Sequence, residues 1–115
     1  MAIAVDFDGT LVEYNGFKGI EHIGEPIQPM MDRVHKWIAE GKEVCIFTAR
    51  VSEGGDDAAR AEHYIRAFLM KHGLGHLDVT ATKHKKFQEF WDDRAVQVEH
   101  NTGLTIIEII QREYP

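Results

Sequence analysis

The stretch Ala2-Ile3-Ala4-Val5-Asp6-Phe7-Asp8-Gly9-Thr10 decides how this chain is read. A short apolar run followed by a turn signal reads as a strand buried on both faces, which sets Asp6 at its carboxyl end and Asp8 just beyond. In open α/β sheets that edge is where ligands bind. Two carboxylates this close repel each other, so a cation must bridge them or one must hold a proton. Either arrangement suits phosphoryl transfer, where a magnesium ion offsets negative charge while one aspartate attacks and the other shuttles a proton. A plainer reading makes Asp8-Gly9 a tight turn capped by Asp6. An EF-hand calcium loop also begins with alternating acids, but it needs glycine sixth and glutamate twelfth; Leu11 and Phe17 stand there.

Composition bounds the rest. With 115 residues and 43% hydrophobic content, residues 1–115 read as one domain with a single core. No apolar stretch approaches membrane-spanning length, and the N-terminus has neither a basic flank nor a small-residue cleavage site. The one cysteine, Cys45, sits in the apolar run Val44-Cys45-Ile46-Phe47 and reads as a core residue; no intramolecular disulfide can form. A cytoplasmic location is therefore expected. The net charge of −6 disfavours adhesion to nucleic acid or to anionic membrane through the overall field, while leaving room for a local basic patch.

Strand and helix signals alternate along the chain, the pattern of a parallel sheet flanked by helices. Residues 11–29 lack periodicity, carry Gly16, Gly19, Gly24, Pro26 and Pro29, and read as a long loop. From Met30 to Glu40, the residues Met30, Val34, Trp37 and Ile38 share a helical face, and Gly41 is placed to end it. Glu43 to Thr48 reads as a second buried strand. Asp56 or Asp57 can cap a helix with the stripe Ala61, Tyr64, Ile65, Phe68 and Leu69, closed by Gly73. Weaker strands follow near Leu77–Thr80 and Phe87–Trp91. Residues 105–113, with Ile106, Ile107, Ile109 and Ile110, suit a strand or a short helix equally.

Each later strand brings polar groups toward the edge already holding Asp6 and Asp8. The second ends Phe47-Thr48-Ala49-Arg50, where a hydroxyl, the backbone N–H after it and a guanidinium can all bind phosphate oxygens. Next comes Thr80-Ala81-Thr82-Lys83-His84-Lys85-Lys86, a solvated basic loop or a source of the positive charge that a carboxylate-rich phosphate site lacks. Phe90-Trp91-Asp92-Asp93-Arg94 then adds a second acidic pair. Taken singly, each is an ordinary strand end, turn or cap. The ordered set is what calls for a functional reading.

In that order these motifs resemble the haloacid dehalogenase superfamily, in its phosphatase branch. Asp6 to Thr10 matches the Asp-x-Asp-Gly-Thr motif at every position, Thr48 the Ser/Thr closing the next strand, Lys83 the third-motif lysine with Lys85 and Lys86 as rivals, and Asp92-Asp93 the closing acidic pair. The resemblance spans residues 2–93, and only the first motif is specific alone. Thr48-Ala49-Arg50, the run after Trp91 and Asn101-Thr102-Gly103 resemble small phage and bacterial members described as similar to the phosphatase half of polynucleotide kinase-phosphatases.

The resemblance implies a single-domain, Rossmann-like α/β three-layer sandwich with a mostly parallel sheet, helices on both faces and no cap domain. It implies that Asp6 attacks phosphorus to form an aspartyl-phosphate, that Asp8 is the general acid and base, and that Thr48 and Lys83 steady the phosphoryl oxygens. Gly9, Thr10, Ala49 and Arg50 are expected at the substrate. Magnesium is expected on Asp6, the carbonyl of Asp8 and the second pair, with Asp93 direct and Asp92 in support; hard oxygen ligands suit that ion, and none of the seven histidines shows zinc spacing. With no room for a cap in either family position, the site should be open, to a phosphorylated small molecule, to a nucleic-acid end, or to a partner subunit of a homo-oligomer acting as a lid. A kinase is excluded, since Gly41-Lys42 is followed by Glu43 and lacks phosphate-loop spacing. The second class weighed is a phospho-receiver or catalytically silent binding domain, in which the acidic pair precedes the acceptor; here the order is reversed.

Overall fold

The computed structural model describes all 115 residues. Four strands form one all-parallel sheet: β1 (Ala2–Val5), β2 (Glu43–Phe47), β3 (Asp78–Thr80) and β4 (Phe87–Trp91), in spatial order β3-β2-β1-β4. Helices α1 (Gln28–Ala39), α2 (Gly55–Lys71) and α3 (Ile106–Glu113) complete a mixed α/β domain of Rossmann-like class. β1 is the centre. Ala2 to Val5 pair with Glu43 to Ile46 on one side and reach Trp91 on the other. All four of its residues are buried, as a strand flanked by parallel neighbours requires.

The crossovers β1-α1-β2 and β2-α2-β3 step the same way, and right-handed connections then put both helices on one face. The main core forms there: Ile3, Val5, Val44 and Ile46 from the sheet meet Met30 and Val34 of α1 and Ile65 and Leu69 of α2. On the other face Ala2, Ala4, Cys45 and Phe87 form a smaller cluster, closed by Phe47. Cys45 is the buried core residue its sequence context suggested. The chain then steps back from β3 to the far side of β1 through residues 81–86, so the strand order reverses beside β1. That is the topological switch point, where α/β proteins place ligands.

Two boundaries differ from the sequence expectation, and one open reading is resolved. Helix α1 begins at Gln28 rather than Met30 because Pro29 fits the first turn, where its missing N–H is no loss. Helix α2 is entered through Gly54, with no side-chain cap; Asp56 and Asp57 lie within its first turn, where they interact favourably with the helix dipole instead. Residues 106–113 are helical because Thr105 and Glu108 form a reciprocal capping box. Gly41 and Gly73 follow their helices with φ of +81° and +74°, as the sequence suggested. No helix is long and apolar enough to cross a membrane.

Candidate active site

The loop after β1 is not slack chain. Leu11 and Val12 are fully buried, and Val12 bridges to Pro26 while Glu13 N–H donates to the Glu25 carbonyl, folding residues 11–26 back on themselves. Gly24 makes this possible, since a Cβ there would fall 1.9 Å from the Glu13 carbonyl oxygen. The doubled loop stands over the carboxyl ends of β1 and β2.

Below it, a cavity of about 900 Å³ opens at the switch point, with Asp6, Asp8, Thr48, Ala49, Arg50, Asp92 and Asp93 on its walls. Tyr14, Phe17 and Ile20 of the loop form an apolar side. Oxygen atoms of Asp6, Asp92 and Asp93 lie within 4.8 Å of one another. Thr10 ties this group together: its hydroxyl faces Asp6 Oδ2 and Asp93 Oδ1, each at 3.3 Å, and accepts from the Asp93 N–H at 3.0 Å. Gly9, at φ +85°, lies so close that a Cβ would meet Asp93 Oδ2 at 2.6 Å. Its N–H donates to the Val12 carbonyl. Gly9 and Thr10, expected at the substrate, thus hold the acidic residues in place. Burial, followed by the negative charge of Asp92 and a hydrogen bond to Asp93, pushes the Asp6 carboxyl up to about 7 against the opposing Phe7 N–H.

Arg50 has a partner that the sequence did not reveal. Its guanidinium grips Asp8 through Nε to Oδ2 at 2.6 Å and Nη2 to Oδ1 at 2.8 Å, and also donates to the carbonyls of Ile20 and His22 at 3.3 and 3.1 Å. One residue thereby joins the second carboxylate to the overhanging loop. Thr48, only 3% exposed, accepts from the Arg50 N–H, which begins the short 3₁₀ turn Ala49–Val51 and aims Arg50 at Asp8.

The basic loop lies elsewhere. Lys83 makes no ion pair and rests its Nζ 5.2 Å from the Phe90 ring centre, while Lys86 pairs with Glu43 at 2.6 Å. None of Lys83, Lys85 and Lys86 lines the cavity. A second group of possible ligands, Glu43, Cys45 and Asp78, lies toward the amino ends of β2 and β3, with Glu43 already neutralised by Lys86. Sequence reasoning also missed Tyr14, Phe17, Ile20 and Arg94 as cavity walls. Two aromatic residues between glycines in a loop beside an aspartate-bearing strand end were the available signal.

No protein-family model matches the chain, and no curated protein does. Among solved structures the chain is similar to a conserved protein from Bacteroides thetaiotaomicron, with 26% identity, a TM-score of 0.52, and coverage of 100% of this chain and 92% of that one.

Proposed function

We propose that the protein is a magnesium-dependent phosphomonoester hydrolase of haloacid dehalogenase type. The observation that carries this reading is the convergence of Asp6, Asp92 and Asp93 within 4.8 Å at the switch point, beside a separate Asp8–Arg50 pair. Three carboxylates this close, one with its pKa raised to about 7, form a site that a hard divalent cation relieves. Asp6, Asp92 and Asp93 would hold that cation, with the Asp8 carbonyl as the fourth ligand implied by the resemblance. When bound it supplies charge neutralisation of the phosphoryl oxygens.

The residues then divide the work. An Asp6 oxygen attacks phosphorus as the ester P–O bond breaks, and Asp8, which takes up a proton from solvent once Arg50 turns to the phosphate, gives that proton to the leaving oxygen. Water next attacks the aspartyl-phosphate, Asp8 recovers the proton, and inorganic phosphate leaves with Asp6 regenerated. Arg50 can exchange Asp8 for the incoming phosphate dianion, which suits its bidentate fork equally well. Thr48 and the Ala49 N–H steady the equatorial oxygens; Lys83, bound in no ion pair, turns in to add charge. The open cavity with its apolar side fits nucleotide or nucleic-acid-end phosphates.

The test is release of inorganic phosphate from nucleotides, sugar phosphates and 3′-phosphorylated oligonucleotides with and without magnesium. Magnesium-dependent turnover that Asp6→Asn removes supports the reading. An inert protein that nevertheless accepts phosphate from an acyl-phosphate donor would favour a receiver domain.

A further inference from the structure

Two apolar surfaces of this chain are open to solvent, one on a helix and one at the edge of the sheet. The first is α3, which buries none of its residues. Ile106, Ile107 and Ile110 are 49%, 67% and 53% exposed, and with Ile109 they make one continuous helical face. A helix of eight residues is too short to persist in water on propensity alone, so an uncovered apolar face on it marks a docking element. The second surface is the sheet face turned away from α1 and α2. Its cluster takes no residue from any helix and is itself buried, Ala2, Ala4, Cys45 and Phe87 being at most 7% exposed; what stays open is its edge, where Phe90 is 38% exposed, 5.8 Å from the Phe47 ring.

We propose that these surfaces meet between two copies of the chain: α3 of one protomer lies on the Phe47–Phe90 face of the other, and reciprocally. Each copy would supply the helix that the other's sheet lacks on that face. Charge favours the match. Lys83 borders Phe90 and Lys85 follows in the same loop, a local basic run in a chain of net charge −6, whereas α3 and the turn before it, closed by the Val98–Thr105 bridge, carry Glu99, Glu108 and Glu113. Their single cation, Arg112, pairs with Glu99 and Glu113 and leaves the segment net negative. Shape favours it too. The radius of gyration is 15.8 Å, against about 13 Å for a compact chain of this length, and the long axis reaches 49 Å. Area argues for two-fold exchange, because one helix about 12 Å long falls short of the roughly 1,200 Å² that a specific interface needs, and reciprocity doubles the contact.

Sedimentation velocity of the full chain at micromolar concentrations is expected to give twice 13.1 kDa. Ile107→Glu with Ile110→Glu, and separately Phe90→Glu, should each weaken association at least about tenfold. The α3 variant should keep the circular dichroism of the sheet and of α1 and α2, since Ile107 and Ile110 are 67% and 53% exposed in the single chain, and lose only the stability that association adds. As a second measurement, Phe90→Cys combined with Ile110→Cys should form a disulfide between chains on oxidation, with buried Cys45 a poor competitor. A monomeric wild type, a dimer that survives either variant, or a disulfide that closes within one chain would overturn the proposal.

Discussion

Arg50 and Asp8, 42 residues apart in sequence, form a bidentate ion pair with both side chains about one-fifth exposed. The same guanidinium holds the carbonyls of Ile20 and His22, so the Asp8 carboxylate and the loop above it share one anchor. Arg50→Ala leaves the Asp8 carboxylate without its cation and should cost about 1–3 kcal/mol in urea unfolding at pH 7. Turnover should fall about a hundredfold. Arg50→Lys keeps the charge but loses the fork, so it should restore stability better than activity. Hydrogen exchange of residues 13–25 should speed up in both variants, and unchanged exchange would separate the loop from Arg50.

Asp6 carries a stability cost at neutral pH. Its folded pKa of about 7 lies above the unfolded value of 3.8, so the native state binds more protons between them. Stability from this group is fully present below pH 3.8 and is lost as pH rises through 7. Without metal, the Asp6→Asn variant should therefore melt higher than wild type at pH 8 and lose this part of the pH dependence, while its phosphatase activity disappears. Magnesium should raise the wild-type melting temperature more at pH 8 than at pH 5 and do little for the variant. Calorimetry across that range checks both.

Asp8→Asn should lose about a hundredfold to ten-thousandfold with alkyl phosphates, where the departing oxygen needs a proton. An aryl phosphate with a good leaving group needs none, and its first half-reaction should suffer much less. Burst kinetics with both substrate types would reveal the difference; equal losses would remove Asp8 from the acid role.

Gly9→Ala combines a positive φ with a Cβ 2.6 Å from Asp93 Oδ2. It should destabilise the fold by about 1–3 kcal/mol and, by displacing Asp93, weaken magnesium binding. Gly16→Ala, whose added Cβ meets nothing within 4 Å, should bear only the backbone cost and leave metal affinity unchanged. Isothermal titration with magnesium distinguishes them.

Lys83→Ala should lower turnover about tenfold if the side chain turns from Phe90 into the cavity during the reaction. Lys86→Ala breaks only an exposed pair with Glu43, so it should cost under about 1 kcal/mol and no activity. The reverse pattern in steady-state kinetics would assign the cation to Lys86.

The sequence by itself determined what depends on neighbours along the chain. An unbroken apolar run flanked by turn residues specifies β1 and delivers Asp6 to the sheet edge, and the stripe from Ala61 to Leu69 specifies α2, because both patterns report local periodicity. The ambiguity at 105–113 yielded to a capping box that is itself local, Thr105 with Glu108. Tertiary structure alone decided the partners. That Arg50 holds Asp8, that Thr10, 83 residues from Asp93, joins it to Asp6, and that Lys83 rests on Phe90 follow from strand order and crossover direction, which periodicity does not encode. The raised pKa of Asp6 belongs here too. It arises from burial and from Asp92 and Asp93, groups that approach it only when β4 pairs with β1.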